Sequence, residues 1–176
     1  MRTFKSVSVI LSFFVMASFA QMLPNIPSVE KDDKGNPKKF DYSIPLEGIS
    51  DPGILLSHFS QRNLLIYYFS PMCGHCQASF PKYQKIVQKY EAKGLQGMAV
   101  SVGQMKRNSI RMFLDNLDNK QPVFADNARK FSDLYGSGYV PLIVLVKANG
   151  EYIRYIESSD QALKDLTAEL EKIFKK

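Results

Sequence analysis

Apolar positions along this chain alternate between short continuous runs and stretches of helical spacing, a pattern that predicts an α/β domain. The run Leu64-Leu65-Ile66-Tyr67-Tyr68-Phe69 has no polar interruption, which suits a strand covered on both faces. Phe80, Tyr83, Val87 and Tyr90 then fall at helical spacing, with Lys82, Lys85, Gln88 and Lys89 on the opposite face and Gly94 closing the segment. A second buried strand is predicted over Met98–Val102, and Ile110, Phe113, Leu114 and Leu117 mark another helix. Pro122–Phe124 reads as a short strand, and Ala128–Tyr135 as a short helix stopped by Gly136 and Gly138. Leu142–Val146 and Tyr152–Ile156 flank Asn149-Gly150, a hairpin signal. The last helix opens on a capping box, Ser158 to Gln161, and carries Leu163, Leu166, Leu170, Ile173 and Phe174 on one face. This order predicts a mixed central sheet flanked by helices on both faces.

Upstream of the first strand the pattern changes character. Arg2 and Lys5 precede an uncharged apolar run from Val7 to Phe19, and Ser18 and Ala20 place small side chains where signal peptidase inspects. A helix of about 14 apolar residues rises only about 21 Å, short of the roughly 30 Å hydrocarbon layer. Residues 1–20 therefore read as a signal peptide cleaved near Ala20, and the chain as exported. Residues 21–39 read as a polar, flexible leader. Pro24, Pro27, Gly35 and Pro37 break any period there, with a hairpin possible at Asp33-Lys34-Gly35-Asn36. The compact domain is expected over residues 40–176, with Ile54, Leu55, Leu56 and Phe59 as a short helical or irregular segment before the first strand.

Composition changes this picture little. The 176 residues suit one domain, and 45% hydrophobic with 23% charged residues is ordinary for a globular chain. The formal charge of +6 is spread along the sequence, with no basic stripe to track phosphates, so nucleic acid is not expected as a partner.

Cysteine usage changes it more. Exported proteins commonly scatter cysteines as structural staples, yet this chain has two, Cys73 and Cys76, three positions apart. A disulfide closing so small a loop constrains the unfolded chain very little. A structural zinc site would need two more ligands than the pair supplies, and the chain offers only His58 and His75. The expectation is a redox pair with no metal and no other cofactor. At a strand-to-helix junction Cys73 meets unpaired backbone N–H groups that stabilise its thiolate. Cys73 would attack a substrate disulfide, and Cys76 would displace the resulting mixed disulfide. A protonated His75 about 5 Å from the sulfur would contribute on the order of 3 kcal/mol at an effective dielectric near 20, against about 0.3–1 kcal/mol from the helix terminus. His75 is thus the side chain expected to tune the pair.

Tyr67-Tyr68-Phe69-Ser70-Pro71-Met72-Cys73-Gly74-His75-Cys76 resembles the active-site strand and helix start of thioredoxin-fold thiol–disulfide oxidoreductases, with the Gly-His dipeptide of protein disulfide isomerases. Pro81 falls where thioredoxins kink this helix, and Gly138-Tyr139-Val140-Pro141 resembles the loop carrying the family's cis-proline. The long stretch between Cys76 and Pro141 is closer to the TlpA-like periplasmic branch. The resemblance implies a thioredoxin-like fold, protein thiol or disulfide substrates, and a bacterial periplasmic location. It also implies a substrate-binding surface formed by Met72, Val140 and Pro141, and a membrane electron-transfer partner.

The sequence departs from that pattern in three places. Met72 replaces tryptophan, Tyr67 stands at thioredoxin's buried acid, and Ser79 stands where the TlpA-like branch often has glutamate. The proton acceptor for Cys76 and the redox direction stay open at this point. The alternative function is a copper-binding chaperone on the same fold, for which His58 is the candidate distant ligand.

Overall fold

A computed structural model describes residues 27–51, 53–156 and 159–175. The segment expected to be a signal peptide, with its expected cleavage site, lies outside those residues. Among the described residues no helix is long and apolar enough to cross a membrane.

The chain runs β1 (Glu47–Gly48), a 3₁₀ turn (Leu56–Phe59), β2 (Asn63–Phe69), α1 (Gly74–Glu91), β3 (Leu95–Val102), α2 (Arg107–Asn116) and β4 (Val123–Asp126). It continues with α3 (Lys130–Tyr135), β5 (Leu142–Val146), β6 (Tyr152–Tyr155) and α4 (Asp160–Phe174). The six strands lie in the order β1-β4-β3-β2-β5-β6. β2, β3 and β4 are parallel, whereas β1, β5 and β6 pair antiparallel, so the sheet is mixed as expected.

The uninterrupted apolar run of β2 is explained by its two covered faces. Leu65, Tyr67 and Phe69 belong to a core with α1, α2 and α4, where Phe69 stacks on Phe113 at 4.5 Å and Tyr67 meets Phe80 edge-on at 5.1 Å. Leu64, Ile66 and Tyr68 point the other way, into a second core with Phe40, Ile44, Leu56, Phe59 and the α3 residues Phe131 and Tyr135. Central β2 thereby fixes its own register on both sides: a one-residue slip would exchange the two sets.

Several boundaries differ from the sequence pattern. β3 begins at Leu95, three residues before the predicted start, because Gly97 is a packing position and not a breaker. A Cβ there would stand 2.7 Å from Val87 Cγ1 and 2.9 Å from Gln121 Cγ, so glycine lets α1 close onto the sheet. α3 begins at Lys130, two residues late, because the Asp126 carboxylate accepts from Phe131 N at 3.0 Å and Ser132 N at 2.9 Å. The N-cap of α4 is Ser159, whose hydroxyl accepts from Ala162 N at 3.2 Å, one position beyond the predicted Ser158.

Residues 27–39, read from sequence as part of a leader, run beside β6. Val29 bridges Ile153, Lys39 bridges Glu151, and Glu30 pairs with Arg154 at 2.8 Å. Between them Lys31 bridges Pro37 around a turn in which Asp32 accepts from Lys34 N and Asn36 N. This segment covers the exposed edge of β6.

Candidate active site

The redox pair sits at the C-terminal end of β2, where the strand gives way to α1. Ser70 O accepts from Cys73 N at 3.1 Å, which turns the chain. Cys73 is then the N-cap residue of α1: its sulfur accepts from Cys76 N at 3.3 Å. The predicted encounter between this sulfur and a free N–H of the first helical turn is therefore present. Cys73 is partly exposed, and Cys76 is fully buried. Both are free thiols. The outer sulfur is placed to react first and the inner one to resolve.

Pro141 reaches the same place from another strand. In the antiparallel pairing of β2 with β5, Tyr68 faces Leu142, so the residues just before β5 lie against the end of β2. The Val140–Pro141 peptide is cis. Cys73 Sγ donates toward Val140 O at 3.7 Å, which puts this loop on the attacking sulfur. Met72, on the other flank, is 76% exposed, and Tyr139 is 75% exposed. Pro81 lies inside α1, where it removes the N–H that would have met Gln77 O.

His75 is brought to the motif but faces solvent. Its backbone carbonyl is engaged by Ser79 Oγ at 2.7 Å. His58 is in a different place altogether. It lies in the 3₁₀ turn ahead of β2, so seven strand residues, about 23 Å of rise, separate that turn from the cysteines. Its Nδ1 accepts from Leu55 N at 3.3 Å. The fold does not bring His58 to the cysteine pair, and among the described residues no cluster of three His, Cys, Asp or Glu side chains is placed to hold a metal.

Beneath Cys76 the two substituted positions meet. Tyr67 Oη lies 2.6 Å from Ser79 Oγ and 3.0 Å from Cys76 O, while Ser79 Oγ also reaches His75 O. Three oxygen–oxygen contacts share two hydroxyl protons, so only two can be hydrogen bonds at once. The 2.6 Å contact between the hydroxyls must hold one of those protons, so either Tyr67 donates to Ser79 and Ser79 to His75 O, or Ser79 donates to Tyr67 and Tyr67 to Cys76 O. Both arrangements tie the first turn of α1 to β2.

Neither group is a base. Burial pushes the Tyr67 phenol far above its ordinary value, and the nearby cysteines push it in the same direction. The Cys76 thiol is itself pushed up to about 12, first by burial and then by the hydrogen bond with Cys73. No buried carboxylate approaches it: Asp126, the buried acid among the described residues, is committed to the start of α3. Tyr67→Phe should cost about 1 kcal/mol of stability in urea titration, the net worth of one hydroxyl's bonds, with disulfide exchange persisting. Lost exchange at unchanged stability would instead make Tyr67 the proton acceptor.

Comparison with known proteins is consistent with this geometry. The AhpC/TSA family model matches residues 44–156. The protein ResA of Oceanobacillus iheyensis, named a thiol-disulfide oxidoreductase, is 26% identical over 113 residues, which cover 64% of this chain and 58% of that protein. The chain thus spans less than two thirds of that relative's length. Among solved structures, a secreted thiol-disulfide isomerase from Corynebacterium glutamicum superimposes with a TM-score of 0.66 at 13% identity, covering 85% of this chain and 89% of the other. A secreted disulfide oxidoreductase from Mycobacterium tuberculosis gives 0.60 at 12% identity, covering 70% and 93%. At such identities the superpositions speak for the fold, which is thioredoxin-like. The chain belongs to the AhpC/TSA family, and its cysteine pair occupies the end of the sheet where strand β2, helix α1 and the cis-proline loop converge.

Proposed function

We propose that this protein is a thiol–disulfide oxidoreductase that exchanges disulfides with protein substrates through Cys73 and Cys76. One observation carries the reading. An accessible sulfur caps a helix N-terminus, and a second, buried thiol lies one turn further along the same helix. That arrangement serves a two-step exchange: Cys73 attacks one sulfur of a substrate disulfide and releases the other as a thiol. Cys76 then attacks Cys73, frees the second substrate thiol and leaves a Cys73–Cys76 disulfide. Two electrons pass from the pair to the substrate, and the reverse sequence oxidises a dithiol.

The backbone of Val140, beside the attacking sulfur, is the proposed docking edge for an extended polypeptide, with Pro141 and Met72 flanking it. An extracytoplasmic, periplasmic location is supported by the signal-like sequence of residues 1–20 and by two similar structures described as secreted. The name of the ResA relative supports the same chemistry. A membrane electron-transfer partner would restore the pair after each turnover.

The test is reduction of insulin disulfides by dithiothreitol, followed by turbidity. The protein should accelerate it and Cys73→Ala should not. Equal rates for the two proteins would refute the reading.

A further inference from the structure

Beside the redox pair lies a second concavity that the exchange mechanism does not use. It has a volume of about 290 Å³, room for on the order of ten waters and so for one amino-acid side chain. Tyr68 lies within its lining, Gln104 stands at the end of β3, Arg129 and Ser132 come from the start of α3, and Tyr139 and Val140 from the cis-proline loop. Val140 is shared: it lines the cleft, and its carbonyl faces the Cys73 sulfur. A polypeptide held across Val140 would therefore carry its neighbouring side chains past this opening.

Charge decides what the cleft suits. Arg129 is the one Lys, Arg, Asp or Glu in its lining, and it is exposed. Among the described residues it takes part in no ion pair. Neither Asp126, behind the cleft, nor Asp133, one helical turn beyond Arg129, lines it. The Asp126 carboxylate is sealed from solvent, accepting from Phe131 N on one oxygen and from Ser132 N and the Tyr68 hydroxyl, at 3.5 Å, on the other. Tyr68 stays neutral, its phenol pushed up to about 12 by burial. The Ser132 hydroxyl is committed to Arg129 O at 2.9 Å. What remains is a guanidinium with no side-chain partner among the described residues, lining the same cleft as the exposed Tyr139 and as Val140, whose carbonyl faces the attacking sulfur.

Resting on the proposed exchange activity, we infer that this cleft binds the carboxylate of an aspartate or glutamate lying within about two residues of the reacting cysteine in the substrate. A guanidinium fork donates two parallel hydrogen bonds to a carboxylate, which gives register as well as attraction. The cleft would select among substrate cysteines by their acidic neighbours, while the chemistry stays with Cys73 and Cys76.

The test uses the reduced full chain and peptides whose single cysteine is linked by a disulfide to thionitrobenzoate. Glutamate, glutamine or lysine is placed two residues from that cysteine. Exchange transfers two electrons from the Cys73–Cys76 dithiol, releasing coloured thionitrobenzoate and the peptide thiol. The ratio of second-order rate constants, read in a single exchange, for the glutamate over the glutamine peptide should be about tenfold in the wild type and fall with added salt. It should drop to near one in Arg129→Gln, and Arg129→Glu should prefer lysine. A ratio that is the same in wild type and Arg129→Gln overturns the cleft assignment while leaving the exchange activity standing. Release of no thionitrobenzoate from any peptide by the wild type would overturn the exchange activity, and this inference with it.

Discussion

Reduced Cys76→Ala protein mixed with an oxidised protein substrate is expected to accumulate as a one-to-one covalent adduct through Cys73, and Cys73→Ala to give no adduct. The reason is positional. Cys73 is the partly exposed sulfur, with the cis-proline loop beside it, whereas Cys76 is fully buried and can act only on what Cys73 has already captured. Tethering on the same helical turn gives the resolving thiol an effective concentration in the millimolar range or above. Against micromolar external thiol, removing it should lengthen the adduct's life roughly a thousandfold. Electrophoresis without reductant, followed by mass determination of the linked peptide, reads the outcome. An adduct through Cys76 in the Cys73→Ala protein would reverse the assigned roles.

Release of the substrate from the wild-type mixed disulfide should accelerate about tenfold for each pH unit between pH 6 and 9. The nucleophile for that step is the Cys76 thiolate, and burial pushes the thiol up to about 12. Below that value the thiolate fraction grows tenfold per unit. The hydrogen bond with the Cys73 thiol vanishes once Cys73 is in a mixed disulfide, but burial, the larger cause, persists. Relative to a thiol at the ordinary value of 9.0, the raised thiol loses about three powers of ten in thiolate and regains about 1.2–1.5 of them in nucleophilicity. The net slowing is roughly 30- to 60-fold. Rapid-quench alkylation across the pH range measures it, and a rate that levels off below pH 8 would reveal a dedicated base. The same shift has a stability consequence. The fold favours the neutral thiol, so Cys76's contribution to stability is intact below about pH 9 and is lost as pH rises toward 12.

The mixed sheet and the position of the cysteine pair were legible in the sequence because both rest on local signals. The apolar run of β2, the glycine and proline punctuation and the spacing of α1 each lie within a few residues of one another. Pro141 was found through a resemblance, and the register of β2 with β5 shows why it lands beside Cys73. What escaped was made by distant contacts. β1 is two residues long and exists only because β4 pairs with it. The predicted start of β3 fell one residue after Gly97 because nothing local announces that Val87 packs over that glycine. Tyr67 and Ser79 were visible as departures, but their mutual contact needed the sheet and helix in place. Arg129 carried no signal at all: an arginine–lysine pair at the start of a short helix is ordinary, and only the return of the chain at Tyr139–Val140 makes it one wall of a cleft.

The proposed exchange requires that Cys73 and Cys76 form one reversible redox centre. Equilibrating the purified protein across dithiothreitol or glutathione buffers, then alkylating and weighing the cysteine peptide, tests it directly. Both thiols should convert together in a single two-electron transition to a Cys73–Cys76 disulfide. A midpoint near about −270 mV would mark a reductant and one between about −180 and −120 mV an oxidant or isomerase. Thiols that remain free at every poise, or that are modified independently of one another, would rule out a shared redox centre.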